Sequence, residues 1–109
     1  MEQIAFDDFK KLDLRIARVL EANDHPNADK LVVLKIDLGE SEPRQIVAGI
    51  RKHYTDEQLV GRNIVVVANL APVTLRGEES NGMLMAASDG DDVILLTPSK
   101  PAAPGSQVS

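Results

Sequence analysis

An all-β domain is the fold class that this sequence predicts, and three observations predict it. Val32, Leu34, Ile36 and Leu38 alternate with Val33, Lys35 and Asp37, the two-residue period of a strand with one buried face. Ile64 to Ala68 is an unbroken, mostly β-branched run, the pattern of a strand covered on both sides. Asp89-Gly90 stands between the apolar runs Met83–Ala87 and Val93–Leu96, which is a strong hairpin signal.

The elements follow in chain order. A brief helical turn starts at Asp7, with Phe6 and Phe9 expected to face inward. Leu14 to Ala22 reads as the first strand, but its alternation breaks: Leu14 and Ile16 share one face, then Ala17 and Val19 the other. A bulge or sharp bend near Ala17 would repair the register. The second strand, Val32–Leu38, ends at Gly39, and Gly39 to Pro43 connects it as a hairpin to Arg44–Ala48. One helix is well signalled over Asp56 to Val60. Thr55 and Gln58 have the spacing of a capping box, Tyr54 and Leu59 stand at staple positions, and Gly61 suits a left-handed C-cap. Asn69 to Gly82 reads as a long loop that Leu70, Val73 and Leu75 can pin down. The tail from Pro98 to Gly105 is too rich in proline for a helix and reads as an extended segment, docked or frayed. Three strands, a short helix, a strand, a long loop and two more strands give the layout of the OB fold. The expectation is a five-stranded barrel with one short helix between strands 3 and 4 and extra C-terminal β-segments. A β-sandwich ranks second because that single helix is unusual in one. Residues 1–109 form one domain, with 1–12 and 98–109 as flanking segments.

Composition narrows the function. A chain of 109 residues with 43% hydrophobic content supports one packed core. Aromatics are only 3%, so the core must be aliphatic and base-stacking platforms are nearly absent. The absence of cysteine removes disulfides, thiolate metal sites and cysteine nucleophiles. A cytoplasmic setting fits that absence. No apolar run approaches the roughly 20 residues of a membrane span. The net charge of -5 argues against indiscriminate nucleic-acid binding. The charge is uneven, however: eleven of the twelve basic residues precede Gly77, leaving residues 77–109 strongly acidic.

No catalytic or metal motif emerges. His25 and His53 stand far apart, and Asp24, His25 and Asp29 read as a polar turn with Pro26 and Asn27. Asp89 to Asp92 lacks calcium-loop spacing. No phosphate-binding glycine loop is present. Ser80 is not in a nucleophile elbow. A small hydrolase built on Ser80 and a distant histidine is the weakest of three readings. No metal and no cofactor are expected. The Asn69–Gly82 segment is more informative, because loops of this length in compact domains are usually functional. On an OB barrel it forms one wall of the usual binding face, with Arg76, Ser80 and Asn81 as its candidate contacts. The loop with Asn27, Asp29 and Lys30 is the other wall. Arg51, Lys52 and His53 follow the third strand and complete a possible local positive groove. Lys10, Lys11, Arg15 and Arg18 read as solvated or ion-paired charges.

Four stretches stand out together: Asp7-Asp8-Phe9-Lys10-Lys11-Leu12-Asp13-Leu14-Arg15-Ile16, Ala28-Asp29-Lys30-Leu31, Val47-Ala48-Gly49-Ile50 and Asn69-Leu70-Ala71-Pro72. In this order they resemble the motifs of one family, the tRNA-binding OB domain. The most specific is Arg76-Gly77-Glu78-Glu79-Ser80-Asn81-Gly82-Met83, similar to the family pattern Arg-Gly-x-x-Ser-x-Gly-Met. The resemblance runs almost end to end, to Pro104-Gly105. Domains of this family occur at the C-terminus of bacterial methionyl-tRNA synthetase, as free-standing dimeric tRNA-binding proteins and in eukaryotic synthetase cofactors. A related branch is an export-associated chaperone. The resemblance implies binding to the elbow and outside corner of folded tRNA with little dependence on identity. It also implies a homodimer through the terminal segments, which makes Ile4, Phe6 and Phe9 interfacial, and a synthetase catalytic domain as a partner in the same or another chain. Ser80 and Met83 match positions associated with tRNA contact; Asn69, Lys30 and Arg76 match or border such positions. The candidate interface is thus Lys30, Arg51, Lys52, Asn69, Arg76, Ser80, Asn81 and Met83. Two departures stand out: Val73 and Thr74 replace residues that are often basic in the family, and Asn81 replaces a frequent glutamine. The synthetase's catalytic signature segments are absent, so no aminoacylation is expected of this chain alone. A protein-interaction or export-chaperone-like dimer is the competing reading.

Overall fold

The computed structural model describes residues 1–109 and is built on strands. A one-turn helix α1 (Phe6–Phe9) precedes the long strand β1 (Leu14–Asp24). Then come β2 (Val32–Asp37), β3 (Arg44–Ala48), helix α2 (Asp56–Leu59) and β4 (Asn63–Val67). After β4 the chain forms β5 (Val73–Leu75), β6 (Glu78–Ser80), β7 (Met83–Leu84), β8 (Ala86–Asp89), β9 (Asp92–Leu95) and β10 (Gln107–Val108). The main sheet runs β3-β2-β1-β4-β7, with every pairing antiparallel. It curls until β3 meets the stretch between β6 and β7. The Asn81 N–H donates to the Gln45 carbonyl at 2.9 Å, and the Ser80 hydroxyl accepts from the Val47 N–H at 2.9 Å. The Arg44 guanidinium also bonds the Ala68 carbonyl and, at 3.3 Å, the Asn81 carbonyl across this seam. The result is the nearly closed five-stranded OB barrel that the sequence predicts, with α2 between its third and fourth strands.

The interior is aliphatic, as the composition requires. Val32, Leu34, Ile36, Ile46, Leu59, Ile64 and Val66 are fully buried, and Ala17, Val19, Ala48 and Ala68 join them. Helix α2 closes one end of the barrel by inserting Leu59. Its capping box is complete: the Thr55 hydroxyl accepts from the Gln58 N–H at 3.2 Å, and the Gln58 side chain accepts from the Thr55 N–H at 2.8 Å. Such a cap stabilises a helix by about 1 kcal/mol. Tyr54 packs on the same core, and its hydroxyl accepts from the Leu95 N–H at 3.1 Å.

The structure moves the expected bulge. In β1 the register against β2 shifts between Val19 and Glu21, so the extra residue is Leu20 rather than one near Ala17. Alternation through Ala17 is intact. Ala17 and Val19 face the barrel interior, whereas Ile16 is buried on the outside, where it and Val65 lie beneath the Pro98–Ala102 segment and β10. Two adjacent buried residues looked like a broken register because each face has its own cover.

That cover is the C-terminal tail, which docks rather than frays. The Ile16 N–H donates to the Ser106 carbonyl at 2.8 Å, and the Gly105 N–H to the Ile16 carbonyl at 2.7 Å. β10 pairs with β1 at Leu14 and Arg15, next to where β2 takes over the same edge at Arg18. Gly105 (φ 89°) lies so close to Leu38 that a Cβ there would stand 2.6 Å from the Leu38 carbonyl oxygen.

Three further expectations change. Met83–Ala87 is two strands, not one: β7 pairs with β4, β8 pairs with β9, and Met85 between them donates its N–H to Val65. The Asn69–Gly82 loop contains the β5–β6 hairpin. Phe6 and Phe9 do not enter the core. Helix α1 buries no residue, Phe6 is 70% exposed, and the two rings stack on each other at 6.3 Å.

Candidate nucleic-acid interface

The β5–β6 hairpin turns through Arg76-Gly77, between paired Leu75 and Glu78. Both turn residues have positive φ, 53° at Arg76 and 91° at Gly77, as the tight turn that matches strand twist demands. The glycine takes that conformation freely; Arg76 bears its cost and is the only non-glycine residue in the chain that does so. The hairpin is anchored along its β6 arm. Ser80 is buried, and the Gln45 side chain donates to the Glu79 carbonyl at 2.9 Å and the Glu78 carboxylate at 3.2 Å. The arm leading to the tip, β5, is exposed throughout.

The β1–β2 loop faces this tip. His25 is 2% exposed, and both ring nitrogens are engaged. Nδ1 accepts from the Asn27 N–H at 2.9 Å, so Nε2 carries the hydrogen and donates it to the Leu75 carbonyl at 2.9 Å. By sequence alone His25 reads as part of an ordinary turn. Its partner lies 50 residues away, and no local pattern signals such a bond.

Three cations on this rim have no acidic side chain within ion-pairing distance: Lys30, Lys52 and Arg76. Arg76 lines one open cavity with Asn27, Asp29 and Lys30, and Lys30 lines the next with Gly49, Lys52 and His53. The cations therefore form a continuous row across the barrel rim. Arg51 departs from expectation. Its guanidinium pairs with Asp24 at 3.0 Å and reaches the Ala28 carbonyl at 3.4 Å, so it braces the β1–β2 loop instead of pointing free. Beyond Arg51 the surface turns acidic. Burial, then the charges of Asp24 and Glu57, raise the Asp56 carboxyl above its ordinary range, against the opposing pull of Arg51.

The remaining predicted contacts separate in the structure. Met83 is 52% exposed beside an open groove of about 350 Å³ that it lines with Leu70, Val73 and Leu75. Asn69 uses its side chain internally, accepting from the Asp13 N–H at 2.9 Å and donating to the Lys11 carbonyl at 2.7 Å. Asn81 holds the seam through its backbone. The Ser80 hydroxyl accepts from Val47 and donates to the Gly82 carbonyl at 3.0 Å, which leaves it neither a free hydrogen nor an adjacent base. The hydrolase reading loses its nucleophile to this geometry. No group of three or more metal-ligating side chains assembles anywhere, and no helix is long and apolar enough to cross a membrane.

An OB barrel that carries an unpaired cationic row on the rim formed by its β1–β2 loop and the hairpin after β4 belongs to the class of nucleic-acid-binding OB modules. The comparisons specify the class. The family described as "Putative tRNA binding domain" matches residues 14–107, and the chain belongs to that family. The methionine–tRNA ligase of Thermococcus kodakarensis is 54% identical over 108 residues, which cover 99% of this chain and 14% of that protein. The chain therefore spans about one seventh of that relative's length, as an appended tRNA-binding domain and not a catalytic one. Among solved structures, a MetRS-related protein from Pyrococcus horikoshii superposes with a TM-score of 0.92 at 34% identity, covering 100% of both chains. The chaperone CsaA of Bacillus anthracis gives 0.89 at 35% identity, covering 99% of this chain and 100% of that one.

Proposed function

We propose that this tRNA-binding domain holds folded tRNA by its sugar–phosphate surface and reads shape more than sequence. The row Arg76–Lys30–Lys52 carries this reading. Unpaired cations around shallow cavities suit phosphates, and no Phe, Tyr or Trp is exposed on this rim, which leaves the small ring of His53 as its one aromatic surface for a base. The acidic surface beyond Arg51 limits the footprint and disfavours indiscriminate binding. In the cytoplasm, attached to or associated with a methionyl-tRNA synthetase, such a face raises the local concentration of tRNA at the catalytic domain. The elbow and outside corner of tRNA are the surfaces in view.

The domain is proposed to act as a homodimer. Ile4 and Phe6 are each 70% exposed on a segment with no partner in the monomer, and Phe9 is half-buried beside them. Sedimentation should give a dimer that Phe6→Glu converts to a monomer; a wild-type monomer at micromolar concentration overturns this part.

Filter binding with unfractionated tRNA across a salt series tests the main reading. The logarithm of the binding constant should fall with the logarithm of salt by roughly 0.7–0.9 per phosphate contact. Binding that ignores salt overturns it. The apolar groove of Leu70, Val73 and Met83 favours a second reading, an export-chaperone-like module that takes apolar peptide. Peptide binding by a chain that ignores tRNA would establish that alternative.

A further inference from the structure

We propose that His25 is a positioning residue of the tRNA interface: its ring sets the distance between the two walls that carry Lys30 and Arg76. This rests on the reading that the cationic rim holds tRNA. The hairpin tip has few other restraints. Its other anchors, Ser80 and the contacts of Gln45 with Glu78 and Glu79, all hold the β6 arm, and β5 buries nothing. Such a segment opens locally at little free-energy cost unless something ties it down. Between the tip and the facing β1–β2 loop the ties are two. The His25 Nε2–H bonds the Leu75 carbonyl at 2.9 Å, and the Arg76 guanidinium reaches the Asn27 carbonyl at 3.5 Å, the limit of a hydrogen bond.

The imidazole works as a two-ended bracket. Nδ1 fixes the turn of its own loop by accepting from Asn27, three residues before Lys30. Nε2 fixes the residue immediately before Arg76. Burial removes water as a competitor at both bonds. One rigid ring therefore places the two cations in register for a spaced pair of phosphates. The two ends are separable by substitution. Glutamine can present its amide N–H near the Nε2 position, and asparagine its carbonyl near the Nδ1 position. His25→Gln thus keeps the bond between the walls, and His25→Asn keeps only the turn within the loop.

Affinity for unfractionated tRNA would be measured for the wild type, His25→Ala, His25→Asn, His25→Gln, Arg76→Ala, Lys30→Ala and the double variant His25→Ala/Arg76→Ala. Each variant would also be checked for folding by thermal melting. His25→Ala should weaken binding about 3- to 10-fold, the effect of losing a hydrogen bond of ordinary strength. His25→Gln should recover most of the loss and His25→Asn little of it. The double variant should bind within about 2-fold of Arg76→Ala alone, because a positioning effect disappears with the group positioned. Losses that multiply, or rescue by asparagine instead of glutamine, overturn the proposal. If His25→Ala does not fold, the contrast between glutamine and asparagine decides. If Arg76→Ala and Lys30→Ala both bind like the wild type, the reading of the rim fails first and the proposal falls with it. If they weaken binding while His25→Ala does not, only the proposal fails.

Discussion

Leu34, Ile36 and Ile46 in the barrel interior have no exposed surface, whereas every residue of β5 on the rim is exposed. The interior strands are long, share continuous ladders and bury aliphatic side chains; the rim hairpin has three-residue arms fastened by a few polar bonds. This contrast separates two duties. Stability comes from apolar burial around α2 and β1 to β4, and under the proposed function recognition falls to a structure that contributes little to it. Changes in one region should therefore be nearly silent in the other, except at the seam where they meet.

The largest expected effect lies inside. Leu34→Ala should cost about 2–5 kcal/mol of stability, from lost burial plus the cavity left behind. Urea unfolding measures it, and the folded fraction should bind tRNA as the wild type does. A changed affinity of that fraction would break the separation. Ser80→Ala sits at the seam and should register in both regions. The Val47 N–H would lose its acceptor in a buried site, at a cost of about 1–3 kcal/mol, and the hairpin would lose an anchor. Its stability and affinity should fall together; a fall in stability alone would show that the hairpin base does not control the rim. Lys52→Ala belongs wholly to the rim. Its melting should stay within about 0.5 kcal/mol of the wild type. Its salt slope should drop by roughly 0.7–0.9, one phosphate contact, and an unchanged slope would remove Lys52 from the interface.

The same contrast explains what the sequence made legible. The alternation of Val32 to Leu38 and the capping box at Thr55 are local consequences of local chemistry, and both appear in the structure where expected. The position of the bulge was hidden because Ile16 is covered by a tail some 90 residues later in the chain, which sequence periodicity does not register. The β5–β6 hairpin was hidden for another reason. Its arms are too short and too exposed to show a period, and Arg76-Gly77 lacks the asparagine or aspartate that usually announces a tight turn. At the site, the motif positions fall on the rim segments but do not disclose the duties of each side chain. Met83, Lys30 and Arg76 face solvent, whereas Ser80, Asn69 and Arg51 spend their polar groups holding those segments in place.

The docked tail has a consequence for self-association. β2 covers one edge of β1 from Arg18 onward, β10 covers that edge at Leu14 and Arg15, and β4 occupies the opposite edge from Leu14 to Arg18. The first half of the longest strand thus offers no row of unpaired backbone groups to another chain. A second copy cannot extend the sheet there by strand addition. With that half of β1 closed, what this end offers a partner includes the exposed side chains Ile4 and Phe6, which are far easier to tune than a backbone ladder and far less prone to run on into a fibre.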